Sequence, residues 1–177
     1  EGPGGFIEAM TFMRKNENDK YNGMTLVNSD PNVPGWNKSN FFLEANKNVN
    51  IERGPSGTGD LFDVDNLKHC LKTYNNSMHI ITADGGFDFS IDFNKQEILA
   101  TNLLFAQVSF AIAMQKTNGH FVLKIFDIFT KTTSDIIYLL STMYKHVFIV
   151  KPSTSRMANS EKYIVCKYFK GTNPILI

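Results

Sequence analysis

"GHFVLKIFD", residues 119 to 127, decides the fold class of this chain. Apolar side chains fall at odd and even positions alike (Phe121, Val122, Leu123, Ile125, Phe126), so a strand here is apolar on both faces. Such strands belong to mainly parallel sheets covered by helices. Lys124 breaks the run. Lysine is among the residues least often buried unless paired. Either its stem snorkels to the strand end, or its amine has a task and a depressed pKa.

Outward from this strand the pattern alternates. Upstream, Ile98 to Gln115 carries no charge. Its length raises the question of a membrane span, but Thr101, Asn102, Gln107 and Ser109 interrupt it, and the reading is a buried helix over about 94–116. Before it, "HIITADGG" (79–86) is an apolar run stopped by Asp-Gly-Gly. Downstream, "TTSDIIYLLSTMY" (132–144) opens on N-cap residues and has helical spacing. "HVFIVKP" (146–152) and "KYIVCKYF" (162–169) are strands. The link between them is too short for a right-handed crossover, which predicts an antiparallel pair at one edge.

The N-terminal third is less regular. "GPGGF" leads into a helix over Phe6–Met13, "GMTLV" (23–27) is β-like, and "NLKHCLKTY" (66–74) is helical. Residues 28–59, rich in Asn, Pro, Gly and Ser, read as an irregular excursion holding a weak strand at Asn48–Glu52. The expectation is one three-layer α/β domain over residues 1–177.

Totals narrow the function. A net charge of +1 gives no global field for nucleic acid, so any basic surface is local. Residues 151–170 provide one: Lys151, Arg156, Lys162, Lys167 and Lys170 face a single acid, Glu161. About half of these are expected to be solvated strand-face lysines. Two cysteines outside any CxxC pattern fit a reduced, intracellular protein, nuclear or cytoplasmic. The four histidines lie far apart, and no metal-ligand spacing occurs.

In sheets of this kind, ligands sit beyond the carboxyl ends of the strands. Gly2-Pro3-Gly4-Gly5 lets backbone approach a ligand at a helix start, though an ordinary turn explains it equally well. Asp84 ends the 79–86 run, where a turn-forming role competes with holding a cation or base. Lys124 and Glu161 also stand at strand ends. Two acids and a lysine on one side of a sheet form a candidate site, but periodicity names no reaction.

The segments "GPGGFIE", "GDLFDVDNLK", "ADGGFDFS", "NKQEILATNLLFAQ", "GHFVLKIFDIFT" and "KPSTSRMANSEKYIVCK" carry a resemblance. In order and spacing the chain resembles the FtsJ-like 2′-O-methyltransferases, within them most of all the cap-specific mRNA (nucleoside-2′-O-)methyltransferases. The resemblance implies a Rossmann-like three-layer fold with a mainly parallel sheet and an antiparallel last strand. It implies S-adenosylmethionine as cofactor, capped mRNA as partner, and no metal or membrane. Asp84, Lys124 and Glu161 match three members of the family's Lys-Asp-Lys-Glu tetrad. The first lysine and the strand before "GPGGF" are expected upstream of Glu1, where a longer parent has room for further capping domains.

Carried over residue by residue, Gly2, Pro3, Gly4, Gly5, Phe6, Ile7 and Glu8 hold the cofactor's methionine and ribose. Asp60 and Leu61 meet its adenine, with Asp84 beside it. Asn94, Lys151, Ser155, Arg156 and Asn159 contact substrate RNA, Arg156 most directly through phosphate. The expected reaction is methylation of the first transcribed nucleotide, cap 0 to cap 1, with Lys124 as general base. The alternatives are 2′-O-methylation elsewhere in RNA, including cap 2, and a catalytically silent RNA-binding module that retains the fold.

Overall fold

The computed structural model describes residues 2–28, 35–86 and 96–171. They form two compact units, Glu1–His69 and Cys70–Ile177, divided within one helix.

The first unit contains α1 (Gly5–Arg14), β1 (Tyr21–Met24), α2 (Asn40–Ala45), β2 (Val49–Glu52) and the start of α3 (Val64–Tyr74). β1 and β2 pair in parallel. The weak strand expected at 48–52 is β2, while β1 begins two residues before the β-like run. The excursion also holds a 3₁₀ turn, Trp36–Ser39, running into α2. Its anchor is Trp36, which is buried. Gly4 and Gly23 are both seated so closely that a Cβ on either would lie within 2.5 Å of the indole. A single tryptophan among Asn, Pro and Gly offers no periodicity to read.

The second unit carries β3 (Met78–Ala83), α4 (Gln96–Met114), β4 (Gln115–Ile125), α5 (Lys131–Met143), β5 (Tyr144–Val150) and β6 (Lys162–Phe169). The sheet order is β3-β4-β6-β5. β3 and β4 are parallel, and β6 is antiparallel to both β4 and β5. The fold is α/β with a mixed sheet and a reversed last strand. The antiparallel β5–β6 pair does stand at one end, but β6 occupies the slot between β4 and β5. The β4–α5–β5 connection leaves that slot open, and the short 151–161 link returns the chain into it.

The core lies on one face of this sheet. Phe121, Leu123 and Ile125 of β4 and Ile164 and Cys166 of β6 are at most 1% exposed. They pack against Ala100, Leu104, Val108 and Ala111 of α4 and Ile136 and Leu140 of α5. Each fully buried aliphatic side chain contributes roughly 1.5–3 kcal/mol. α4 is the one helix among the described residues long and apolar enough to cross a membrane, and half of its most apolar window is buried. The even positions of β4, His120, Val122 and Lys124, are on the other face and only half-buried. α5 starts at Thr130, whose hydroxyl accepts from Thr133 N at 3.3 Å.

Candidate active site

Lys124 lies one residue before the end of β4, on the half-buried face, opposite Tyr163 in the β4–β6 register. Asp84 follows the last residue of the neighbouring β3. Parallel pairing of β3 with β4 therefore brings residues forty apart in the chain together. The Lys124 ammonium stands 2.7 Å from Asp84 Oδ1 and donates to the Asp84 carbonyl oxygen at 2.9 Å. Its side chain is 16% exposed, so the ammonium is held from within and has little water around it. Asp84 Oδ1 is itself buried, and Lys124 is its ion-pair partner. The better-aligned bond of the ammonium goes to the backbone carbonyl.

The turn after Asp84 runs close to this amine: a Cβ at Gly86 would meet Lys124 Nζ at an ordinary contact distance of 3.5 Å. Gly85 is pinned from the opposite side: its N–H donates to Gln107 Oε1 at 2.9 Å. A Cβ on Gly85 would come within 2.8 Å of that same oxygen. Gln107 is 5% exposed and steadied by its own bond to Leu103 O. In the sequence Gln107 stands only as one of several polar residues interrupting the run 98–115, and its backbone partner is not visible there.

Glu161 immediately precedes β6, two residues before Tyr163 and so on the same side of the strand as Lys124's register partner. Its carboxylate accepts from the Tyr163 hydroxyl at 3.3 Å. No ion pair joins Glu161 to Lys124 among the described residues. The structure thus joins two of the three sequence-predicted groups directly and places the third on the same rim, connected to Tyr163.

Two loops border this rim. The link 151–161 is organised from inside by Lys151, whose ammonium donates to Ser155 Oγ, Asn159 O, Asn159 Oδ1 and Glu161 O at 2.7–3.2 Å. Ser155 Oγ also lies 3.1 Å from Asn159 Oδ1. Lys162 ties this link to the β4–α5 loop through Phe126 O and Asp127 Oδ1, each at 3.4 Å. Arg156 is exposed and forms no ion pair among the described residues. Lys170 donates to Thr142 O, and Lys167 is exposed over the Tyr168 ring, so the basic segment divides into three internally bonded lysines and two outward cations, Arg156 and Lys167. Asn94 lies outside the described residues.

The helix α4 holds both loops at its first turn. Gln96 Oε1 accepts from Ser160 Oγ at 3.3 Å. Glu97, 7% exposed, accepts from Phe129 N at 3.0 Å and from Thr130 N and Oγ1 at 2.8 Å. Burial pushes the Glu97 carboxyl up, but the bonds from Thr130, Thr133 and Phe129 outweigh it and hold the group below the usual carboxylate range. Sequence reading missed Glu97 because a lone acid in a first helical turn normally reads as a surface charge favoured by the helix dipole.

The first unit, taken by itself, carries the glycine-rich loop. Gly4 has φ +95° and caps α1 without any side-chain bond. Gly5 has open space where a side chain would stand. The first N–H groups of α1, which lack intrahelical acceptors, thus have open space beside them at Gly5, where a ligand's carboxylate or hydroxyl oxygens can approach. Asp60 Oδ1 accepts from Phe62 N at 2.8 Å, and the Asp60 carbonyl accepts from Asn66 Nδ2 at 3.0 Å. Asn66 is fully buried and also binds Ser56, which fixes the 54–60 loop. The Asp60 side chain thus closes a local turn with one oxygen and retains a second.

Known proteins resemble this chain in sequence and fold. The sequence profile of the FtsJ-like methyltransferase family matches residues 1–169. The cap-specific mRNA (nucleoside-2′-O-)-methyltransferase 1 of Mus musculus is 38% identical over 177 residues, covering 96% of this chain and 20% of that protein. The protein of the same name from Drosophila melanogaster is 34% identical over 171 residues, covering 94% and 21%. The chain therefore spans about one fifth of the length of the curated relatives it matches. A crystal structure of a ribosomal RNA methyltransferase from Plasmodium falciparum superposes with a TM-score of 0.62 at 20% identity, covering 96% of this chain and 83% of that one. That likeness is one of fold.

Proposed function

The chain belongs to the FtsJ-like methyltransferase family, and from that premise we propose that it methylates the ribose 2′-hydroxyl of the first transcribed nucleotide of capped mRNA, inside the cell. Methyltransferase membership makes S-adenosylmethionine the methyl donor. The observation that carries the proposal is the half-buried Lys124–Asp84 pair at the strand-end rim, in a chain whose relatives at 34–38% identity are named for cap methylation.

When bound, S-adenosylmethionine supplies a methyl group on a positively charged sulfur that departs as a neutral thioether. The ribose oxygen forms the new bond to that methyl carbon, and its proton must go elsewhere. Lys124 receives it as general base, a role that requires the amine to be deprotonated before transfer. Asp84 fixes the amine's position from one side through two oxygens. Positioning is the main demand on the site, because a near-attack geometry removes much of the barrier. Glu161, with Tyr163, supports the same rim.

Arg156 contacts phosphate, while Lys151, Ser155 and Asn159 hold the loop that presents it. Gly2 to Glu8, with Asp60 and Leu61, hold the cofactor through backbone donors and the second carboxylate oxygen of Asp60. The experiment is a methylation assay on cap 0, cap 1 and uncapped RNA of one sequence. Transfer confined to cap 0 RNA is expected. Equal transfer to uncapped RNA would reject cap specificity, and equal transfer to cap 1 RNA would reject the first nucleotide as the target.

A further inference from the structure

The loop between β4 and α5 exposes an aromatic ring on a fixed backbone. Glu97 takes the N–H of Phe129 and both donors of Thr130, while Lys162 holds Phe126 O and Asp127 at the loop's other end. Yet the Phe129 side chain is 89% exposed. A phenylalanine left in water forgoes the burial that normally stabilises it. A ring whose backbone is already immobilised loses little further freedom when a partner covers it, which favours binding.

The ring's neighbours indicate the partner. Phe129 is five residues beyond Lys124 at the same end of the sheet. On the adjoining 151–161 link, Arg156 is exposed and Met157 is 96% exposed. That link opens the 151–170 segment, which carries five basic residues against one acid. An exposed aromatic ring and an outward cation, carried on two loops that Lys162 ties together, match single-stranded nucleic acid, where bases stack on aromatic rings and phosphates meet arginine. A purely apolar protein surface would leave the arginine without a counterpart.

We propose that Phe129 is a base-stacking residue, preset by Glu97 to receive a nucleobase of the acceptor RNA beyond the methylated ribose. This rests on the RNA methyltransferase reading above and adds a binding contact to it. Stacking on Phe129 adds RNA affinity at a nucleotide away from the reacting atoms.

The test uses the full-length protein with short cap 0 RNA, comparing wild type, Phe129→Ala and Phe129→Trp. RNA affinity is read by fluorescence anisotropy and methyl transfer by initial rates. Phe129→Ala should raise both Kd and KM for RNA about tenfold, with kcat and cofactor affinity within about twofold of wild type, and Phe129→Trp should restore both constants. An abasic nucleotide moved along the RNA should find one position that costs wild type the same factor and costs Phe129→Ala nothing more. An unchanged RNA Kd in Phe129→Ala overturns the proposal, as does a loss that Trp does not restore. Loss of a protein partner with RNA affinity intact overturns it too. Because anisotropy needs no turnover, failure of cap specificity in the assay above leaves this result readable on its own.

Discussion

Removing the Glu97 carboxylate tests whether the rim is held as described. Glu97→Ala deletes three acceptor contacts, to Phe129 N, Thr130 N and Thr130 Oγ1. Hydrogen bonds to a charged group contribute roughly 1.5–3 kcal/mol each. The three share one carboxylate and the freed donors recover some water, so a total near 3 kcal/mol is expected. For a chain of this size each kcal/mol moves Tm by about 2–4 °C, which gives a fall of about 6–12 °C at pH 7. The loss must also depend on pH. The carboxyl titrates below its ordinary value of 4.5 in the folded protein. Its charge therefore stabilises the fold fully above the unfolded pKa, and this share disappears as pH falls through the folded pKa. Urea melts of wild type, Glu97→Gln and Glu97→Ala at pH 7 and at about pH 3 supply the comparison. Glu97→Gln should converge on wild type in acid and fall below it at neutral pH. A Glu97→Ala penalty under about 1 kcal/mol at pH 7, or a Glu97→Gln penalty equal at both pH values, would refute the account of the carboxylate as a charged clamp.

The remaining predictions concern the site and the core. Lys124→Ala should lower methyl transfer at least about a hundredfold with cofactor affinity nearly unchanged in calorimetry; retained turnover would show that another group takes the proton. Gln107→Ala removes the acceptor of Gly85 N, at a cost of about 1–3 kcal/mol for the stranded donor. It should reduce kcat without changing the RNA KM, and a shift in KM alone would place Gln107 elsewhere in the mechanism. Cys166 is fully buried, and burial pushes its thiol up to about 12. Native protein should therefore resist iodoacetamide at Cys166 until denaturant is added, and rapid labelling in buffer would contradict the packing of β6.

The sequence was most legible where one strand or helix accounts for its own pattern. The run 119–127 identified a core strand because its apolar residues needed no partner to be recognised, although only its odd positions, Phe121, Leu123 and Ile125, are fully buried and the other face is half-buried. The hydroxyls at 132–133 marked the start of α5 to within two residues of its actual cap, Thr130, because an N-cap bond is local. The reversed direction of β6 followed from the shortness of 151–161. The insertion of β6 between β4 and β5 was not legible, since adjacency depends on which open strand edge the returning chain meets. For the site, Asp84 and Lys124 were found as residues out of character with their surroundings. Gln107 and Glu97 were missed because their partners are backbone N–H groups 22 and 32 residues away, and backbone donors leave no mark in a sequence. Lys151, expected at the RNA, is bonded within its own loop, and that loop role leaves no mark in one-letter code.

The interior position of β6 sets the order in which this half of the molecule can be made. During synthesis β4 and β5 emerge first, each with an unsatisfied backbone edge facing the vacancy between them. They must wait there until residues 162–169 clear the ribosome. For that interval two hydrophobic strands are open to any neighbouring polypeptide. A stop codon before Lys162 would therefore remove the wedge that joins the sheet, and the shortened product should be captured by chaperones and degraded.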